Sequence, residues 1–293
     1  MLQQTRVAAA LPFYERFLRR FPTVEALAAA AEADVLAHWA GLGYYSRARN
    51  LHKAAQAVVE AGGGFPATLD ALLKLPGIGD YTAAAIGSMA FGLPCAAVDG
   101  NLLRVIARLD NDPSDIGNPR TRARFTERAQ ALLDRKHPGE FNQAMMELGA
   151  TVCLPKSPRC GKCPVVAFCE GRRAERESEL PVKARKRGKI EIEVVALVIR
   201  RRGRILLRRR SDDAGQMAGF WELPDALGLP DALIGRPVGE VRHTITHHHY
   251  RYRVHLADWS GRARKPLAWI GLKKLNAILL TTAARKSLVL CKF

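Results

Sequence analysis

At 293 residues the chain is long enough for two domains, and with 48% apolar and 25% charged residues it can bury cores, which excludes wholesale disorder. Lys and Arg outnumber Asp and Glu by 46 to 28, a net charge of +18 that suits an acidic polymer as partner. No apolar run approaches the ~18–20 residues of a bilayer span, and the N-terminus lacks a charged-then-apolar leader, so a cytoplasmic protein without membrane attachment is expected.

Residues 4–169 read as helices joined by short loops. Val7, Leu11, Tyr14, Leu18 and Phe21 recur at three- and four-residue steps and draw one apolar helix face. Pro22 ends that helix and Thr23 caps the next, Val24–Ala31. Further helices are predicted at Asp34–Ala40, Ser46–Ala61, Thr68–Lys74, Tyr81–Ala90, Asn101–Leu109, Thr121–Leu133 and Phe141–Ala150. Strand-like alternation is absent here, so residues 1–170 read as an all-α domain.

Residues 171–189 change character. They are charged, poor in large apolar side chains and contain Pro181, which reads as a basic linker. From Lys183 to Arg210 there are twelve Lys/Arg against two Glu. β-branched runs follow at Ile190–Ile199 and Ile205–Arg209, with an Arg202-Gly203 turn that makes them a hairpin. Trp221–Pro224 and Val241–Trp259 are strand-like and Leu272–Leu290 helical, so residues 190–293 read as a separate α+β domain.

Four of the six cysteines fall within 17 residues, spaced Cys153-x6-Cys160-x2-Cys163-x5-Cys169. Without a secretion signal they read as a metal site in a reducing compartment, not as a disulfide framework. Four thiolates on one irregular segment can enclose a tetrahedral Zn²⁺ or a [4Fe–4S] cube, and spacing alone leaves both open. The single compact loop, without paired C-x2-C knuckles, leans towards iron–sulfur. Lys156, Arg159 and Lys162 between the ligands offer phosphates a basic face. Cys95 and Cys291 stand apart as packing residues.

Leu75-Pro76-Gly77-Ile78-Gly79-Asp80-Tyr81-Thr82 lies between two predicted helices. Gly77 and Gly79 allow a sharp turn whose backbone N–H groups approach an anion at the next helix start, and DNA phosphate suits a protein of this charge. Asp99 follows in Val98-Asp99-Gly100-Asn101 at a helix start, where an aspartate is ordinarily an N-cap. Behind a DNA-gripping hairpin the same carboxylate can stabilise positive charge developing on a sugar.

The hairpin, the downstream Asp99 and the four-cysteine loop together resemble the helix-hairpin-helix, iron–sulfur base-excision DNA glycosylases. More narrowly, Met1-Leu2-Gln3-Gln4-Thr5, the segment from Gly41 to Leu51, and Phe141-Asn142-Gln143-Ala144-Met145-Met146 resemble the adenine DNA glycosylase (MutY) family. The resemblance implies removal of adenine mispaired with 8-oxoguanine or guanine from duplex DNA. It further implies a [4Fe–4S] cluster on Cys153, Cys160, Cys163 and Cys169, and a monomer that works at the nucleoid if the chain is bacterial. Gln3 and Gln4 sit where the family wedges into the duplex, Tyr44 where it stacks beside the oxidised guanine, and Tyr81 where it lines the adenine pocket. Asp99 takes the catalytic carboxylate's place, with Asn101 as a DNA- or base-contacting neighbour. Related enzymes that also cut the backbone carry lysine at position 81; a tyrosine has no amine for a Schiff base, so a monofunctional glycosylase is expected rather than an endonuclease III-like lyase.

The second domain resembles the family's Nudix-like C-terminal domain through Leu206–Arg210 and Gly219–Pro224. The R-E-x-x-E-E helix of a working Nudix hydrolase has no counterpart after Pro224, so the fold is expected to serve recognition. Arg242–His247 corresponds to the segment that senses 8-oxoguanine. There Ile245 replaces the usual aromatic, while Thr246 and His247 keep hydrogen-bonding groups. The competing reading of this region is a metal site from His243, His247, His248 and His249. The family's general acid is a glutamate two residues upstream of the Met-Leu-Gln-Gln-Thr segment. It has no counterpart in this sequence, so either an upstream start or a chain that binds its lesion without efficient chemistry is expected. Two competing functions follow, a lesion-binding protein without chemistry and a zinc-stabilised structural module.

Overall fold

The computed structural model describes residues 1–3, 5, 7–184, 190–214, 217–245 and 247–291. Gln4 and Thr246, both singled out above, lie outside the described residues. In chain order the helices are α1 (Val7–Arg20), α2 (Val24–Ala28), α3 (Glu32–Trp39), α4 (Tyr45–Glu60), α5 (Leu69–Leu73), α6 (Asp80–Phe91), α7 (Gly100–Leu109), α8 (Pro119–Leu132), α9 (Pro138–Glu147) and α10 (Glu170–Arg173). Strands β1 (Ile190–Arg201), β2 (Arg204–Arg209), β3 (Trp221–Glu222), β4 (Leu233–Ile245), β5 (His248–Asp258) and β6 (Leu267–Gly271) follow, then α11 (Thr282–Leu290). No helix among the described residues is long and apolar enough to cross a membrane.

Local chemistry explains most boundaries. Thr23 and Thr68 accept from the amides of Ala26 and Ala71 and start α2 and α5. Asn118 caps α8, and Pro119 and Pro138 occupy the first helical positions of α8 and α9. Both helices therefore begin two or three residues before the sequence-based bounds. The end of α9 widens into a π-helical turn at Leu148–Val152.

The chain divides into two compact units. The helical unit comprises Phe21–Ala30 and Asn50–Lys186. Its centre is α7, in which every residue from Leu102 to Arg108 is buried. Leu102, Val105 and Ile106 pack with Ile116, Phe125, Ala129 and Leu148, and the half-buried Cys153 and Cys163 lie against this cluster. The stretch after α10 folds back on the same unit. Leu180 is buried, and its carbonyl accepts from Arg108 Nε at 2.9 Å. The Ile116 amide donates to Val182, and Asp115 accepts from the Ala184 amide.

The sheet unit comprises Met1–Arg20, Ala31–Arg49 and Arg187–Phe293. Its sheet runs β3-β2-β1-β5-β4, with β6 also paired to β2. β1 and β5 are parallel and the other pairs antiparallel. The predicted Arg202-Gly203 hairpin joins β1 to β2 in register Arg201↔Arg204. Alternation sends Ala196 and Val198 to one core and Leu197 and Ile199 to the other, so β1 is covered on both faces. The first turn of α4 is tied to this sheet: the Tyr45 ring stands 4.5 Å from Phe220, and Arg49 donates to the Ala218 carbonyl at 2.6 Å.

Several elements differ from expectation. Val241–Trp259 is two strands, with β4 reaching back to Leu233 through register shifts around Pro237 that absorb its missing N–H. β6 was not foreseen, because its five residues are uniformly half-buried and show no alternation. Leu272–Leu290 is a 3₁₀ segment, Leu272–Ala277, and then α11, which Thr281 caps through the Ala284 amide at 3.2 Å. In α1 the buried residues are Ala10 and Phe17, with Phe17 edge-on to Trp39 at 5.8 Å; Val7, Leu11, Tyr14 and Leu18 of the expected apolar face are exposed.

Candidate active site and cysteine loop

The helical unit gathers Tyr81, Asp99, Asn101 and the cysteine loop around α7. Asp99 is the N-cap: its Oδ1 accepts from the Leu102 amide at 2.8 Å. Its Oδ2 accepts from Asn101 Nδ2 at 3.1 Å. An ionised carboxylate offers about four acceptor directions, so Asp99 keeps capacity beyond these two bonds. The half-buried Tyr81, on the first turn of α6, donates to Met146 Sδ at 3.6 Å. Burial, then the charge of Asp99, pushes its phenol above the ordinary value of 10.0. The structure thus places Asp99 as the N-cap of α7.

From Asn101 a chain of hydrogen bonds leads to the cysteine loop. Arg104 NH2 donates to Asn101 Oδ1 at 3.1 Å and to the Gly149 carbonyl at 2.7 Å, and its Nε donates to the Cys153 carbonyl at 2.8 Å. One turn later Arg108 NH1 reaches Cys153 Sγ at 3.2 Å and the Leu154 carbonyl at 2.7 Å. The i, i+4 spacing puts both guanidinium groups on one side of α7. Only 6% of Arg104 and 2% of Arg108 remain exposed. The approach is close enough that a Cβ on Gly149 would stand 2.8 Å from Asn101 Cβ. Sequence reasoning missed both arginines, because a basic composition reads them as surface charge; their spacing on a helix otherwise apolar was the available signal.

All four loop cysteines are half-buried and none forms a disulfide. Cys160 and Cys169 are each within electrostatic reach of Cys153, Cys160 of Cys169, and Cys169 of Cys163. Burial leads in pushing both thiols above their ordinary value of 9.0. Among the described residues no three His, Cys, Asp or Glu side chains converge tightly enough to hold a single metal ion. Four thiols gathered on one loop are a donor set that fits a thiolate-held metal centre, zinc or iron–sulfur. Lys156, Arg159 and Lys162 are exposed on the outside of the loop.

The glycine turn precedes α6. Gly77 has φ 77°, the left-handed region, and a Cβ there would stand 2.5 Å from Asn50 Cβ. Gly79 is the N-cap of α6 and supplies no side-chain cap, so the exposed turn leaves amides at the helix start for an anion. Asp80 shares that first turn, a negative charge the motif reading passed over.

The sheet unit carries the remaining site residues. Gln3 is exposed on the N-terminal segment, and Tyr44 is 53% exposed with φ 51°. His247 is exposed in the turn between β4 and β5, its ring 4.1 Å from that of His248. The four-histidine metal reading finds no support among the described residues, because alternate positions along β4 and β5 face opposite sides. Among the described residues the sheet unit offers no carboxylate set for a divalent ion either. Glu222 is held by Arg208 at 2.7 Å and Arg210 at 2.8 Å, and turns replace a helix between Asp225 and β4.

Residues 1–131 match the HhH-GPD superfamily base excision DNA repair protein family, and residues 194–289 match the NUDIX domain family. The human adenine DNA glycosylase is 32% identical over 98% of this chain and 65% of its own length. That of Buchnera aphidicola subsp. Baizongia pistaciae is 33% identical over 76% of this chain and 62% of its own. The Mycobacterium tuberculosis adenine DNA glycosylase is 40% identical over 59% and 57%. The chain thus spans 57% to 65% of the length of these relatives. Among solved structures, a thermostable thymine-DNA glycosylase superposes with TM-score 0.52 at 28% identity, covering 59% of this chain and 80% of that one. A trapped endonuclease III–DNA covalent intermediate does so with TM-score 0.51 at 25% identity over the same shares.

Proposed function

Because the chain belongs to the adenine DNA glycosylase family, we propose that it excises adenine mispaired with 8-oxoguanine or guanine from duplex DNA by hydrolysing the N-glycosidic bond. The observation that carries this reading is Asp99, oriented by two hydrogen bonds at the head of α7 and within electrostatic reach of Tyr81. Departure of adenine leaves positive charge on the sugar, and Asp99 is the group that faces it, by charge or by a transient covalent bond. Tyr81 lines the pocket of the extruded base and, lacking an amine, forms no Schiff base, so the DNA backbone stays intact. Asn101 holds the Asp99 carboxylate in orientation. Gly77 and Gly79 give backbone donors to a phosphate. Gln3 wedges into the duplex, Tyr44 stacks beside the oxidised guanine, and His247 offers its imidazole to that base; Gln4 and Thr246 carry the same roles by resemblance.

Cys153, Cys160, Cys163 and Cys169 would hold a [4Fe–4S] cluster. It would serve there as a structural centre; Arg108 holds Cys153 and Leu154, and Arg104 ties the Cys153 carbonyl to Asn101 and so to Asp99. The resemblance assigns protonation of the adenine to a glutamate without a counterpart in this sequence. The test compares adenine release from an A:8-oxoguanine duplex by this chain and by the chain extended at its N-terminus with a family segment that carries such a glutamate. The extended chain is expected to release adenine ~10²–10⁴-fold faster, the usual worth of a general acid, with equal preference for the mispair. Mispair binding with no adenine released by either would favour a lesion-binding protein instead.

A further inference from the structure

Arg47 is a half-buried cation in the sheet unit for which the excision chemistry has no use. It lies in the first turn of α4. Its NH1 donates to the carbonyls of Met1, at 2.8 Å, and of Gln3. Its NH2 donates to Thr5 Oγ1 at 3.1 Å and to the Gly43 carbonyl at 3.4 Å. The guanidinium carbon stands 5.5 Å from the Trp39 ring centre and 5.0 Å from that of Tyr44. Nε is buried without a hydrogen-bond partner. No carboxylate appears among these contacts. A desolvated cation held by neutral oxygens alone is a poor way to stabilise a fold. The geometry it enforces is what needs a reason.

That geometry joins two segments far apart in sequence. One is the N-terminal segment that carries Gln3. The other is the Gly41–Tyr44 loop, where Tyr44 holds a left-handed backbone, φ 51°, while half its side chain faces solvent. A bulky residue in that region is disfavoured and persists only where its surroundings over-determine it. Here they do: Trp39 Nε1 holds the Gly43 carbonyl at 2.9 Å, the Arg47 amide holds the Tyr44 carbonyl at 2.8 Å, and the guanidinium backs the ring. An exposed aromatic is thus fixed in a strained pose by the same arginine that fixes the segment bearing Gln3.

We propose that Arg47 is a positioning residue for mispair discrimination: it locks Gln3 and Tyr44 at one spacing, so that the two probes engage only a base pair distorted to fit both. The proposal rests on the reading of Gln3 and Tyr44 as duplex probes. It depends on the planar fork of arginine, whose divergent donors reach both segments at once. Lysine keeps the charge but is a point donor on a flexible stem, so it holds one segment at a time.

The test measures equilibrium binding of the full chain to duplexes carrying A:8-oxoguanine or A:T at one salt concentration, and takes the ratio of the two affinities. Arg47→Lys is expected to lower that ratio about tenfold, the equivalent of losing one charge-assisted bond pair. Thr5→Val removes one acceptor on the terminal segment, outside both cores, and is expected to lower the ratio about threefold with no change in melting temperature. A merely structural arginine would lower the melting temperature and leave the ratio intact. A preference that survives both substitutions overturns this proposal alone. A wild-type chain without any preference overturns the functional reading as well.

Discussion

The cysteine loop and the histidine-rich stretch around the turn between β4 and β5 each hold four candidate metal ligands, and they are built in opposite ways. In the loop, two buried arginines from α7 bond the carbonyls of Gly149, Cys153 and Leu154 and the Cys153 sulfur, so the segment is fixed from behind. In the turn, His247 is exposed, and His248 Nδ1 is buried without a hydrogen-bond partner. Ligand density alone does not make a site. The groups that hold the ligands do.

The largest effect should come from the ligands themselves. On the proposed cluster site, Cys163→Ser is expected to abolish iron binding and lower the melting temperature by roughly 10 °C or more, read by visible absorbance and calorimetry. Next comes the support behind them. Arg104→Leu leaves three acceptors without their donor and should cost about 3 kcal/mol in denaturant unfolding, while removing the tie between Asn101 and the loop. Joint replacement of His247, His248 and His249 by alanine should leave iron content unchanged and stability within about 1 kcal/mol. A loss of metal in that variant would erase the contrast between the two regions.

The smallest effect concerns His243 in β4. Burial, then the nearby Lys286, holds its imidazole below the ordinary value of 6.5, so the fold favours the neutral ring. The unfolded chain therefore takes up the proton first. Stability from this residue is full above pH 6.5 and falls as the pH drops below it. Melting temperatures across pH 5–8 should show a shallower acid decline for His243→Gln than for the wild type.

The helices were legible because apolar spacing and caps agree, as at Thr23; the proline starts of α8 and α9 were passed over because the apolar spacing begins after them. The cysteine spacing and the Asp99 cap were legible for the same reason, a local chemical signature. Long-range placement was not. Nothing local marks Pro237 as a bulge inside β4, since proline and glycine there read as a turn. Nor does sequence separate Arg47, Arg104 and Arg108 from the chain's many surface arginines. Their placement depends on acceptors contributed from distant segments, from Met1 for the first and from the cysteine loop for the others.

The central claim is that Asp99, held by its cap and by Asn101, carries the chemistry. Single-turnover adenine release from an A:8-oxoguanine duplex, with the N-terminally extended chain and its Asp99→Asn variant, tests it most directly. The account expects release to fall at least about a thousandfold while mispair affinity stays within about threefold, since the amide keeps the shape but loses the charge. Undiminished release by the variant would contradict it.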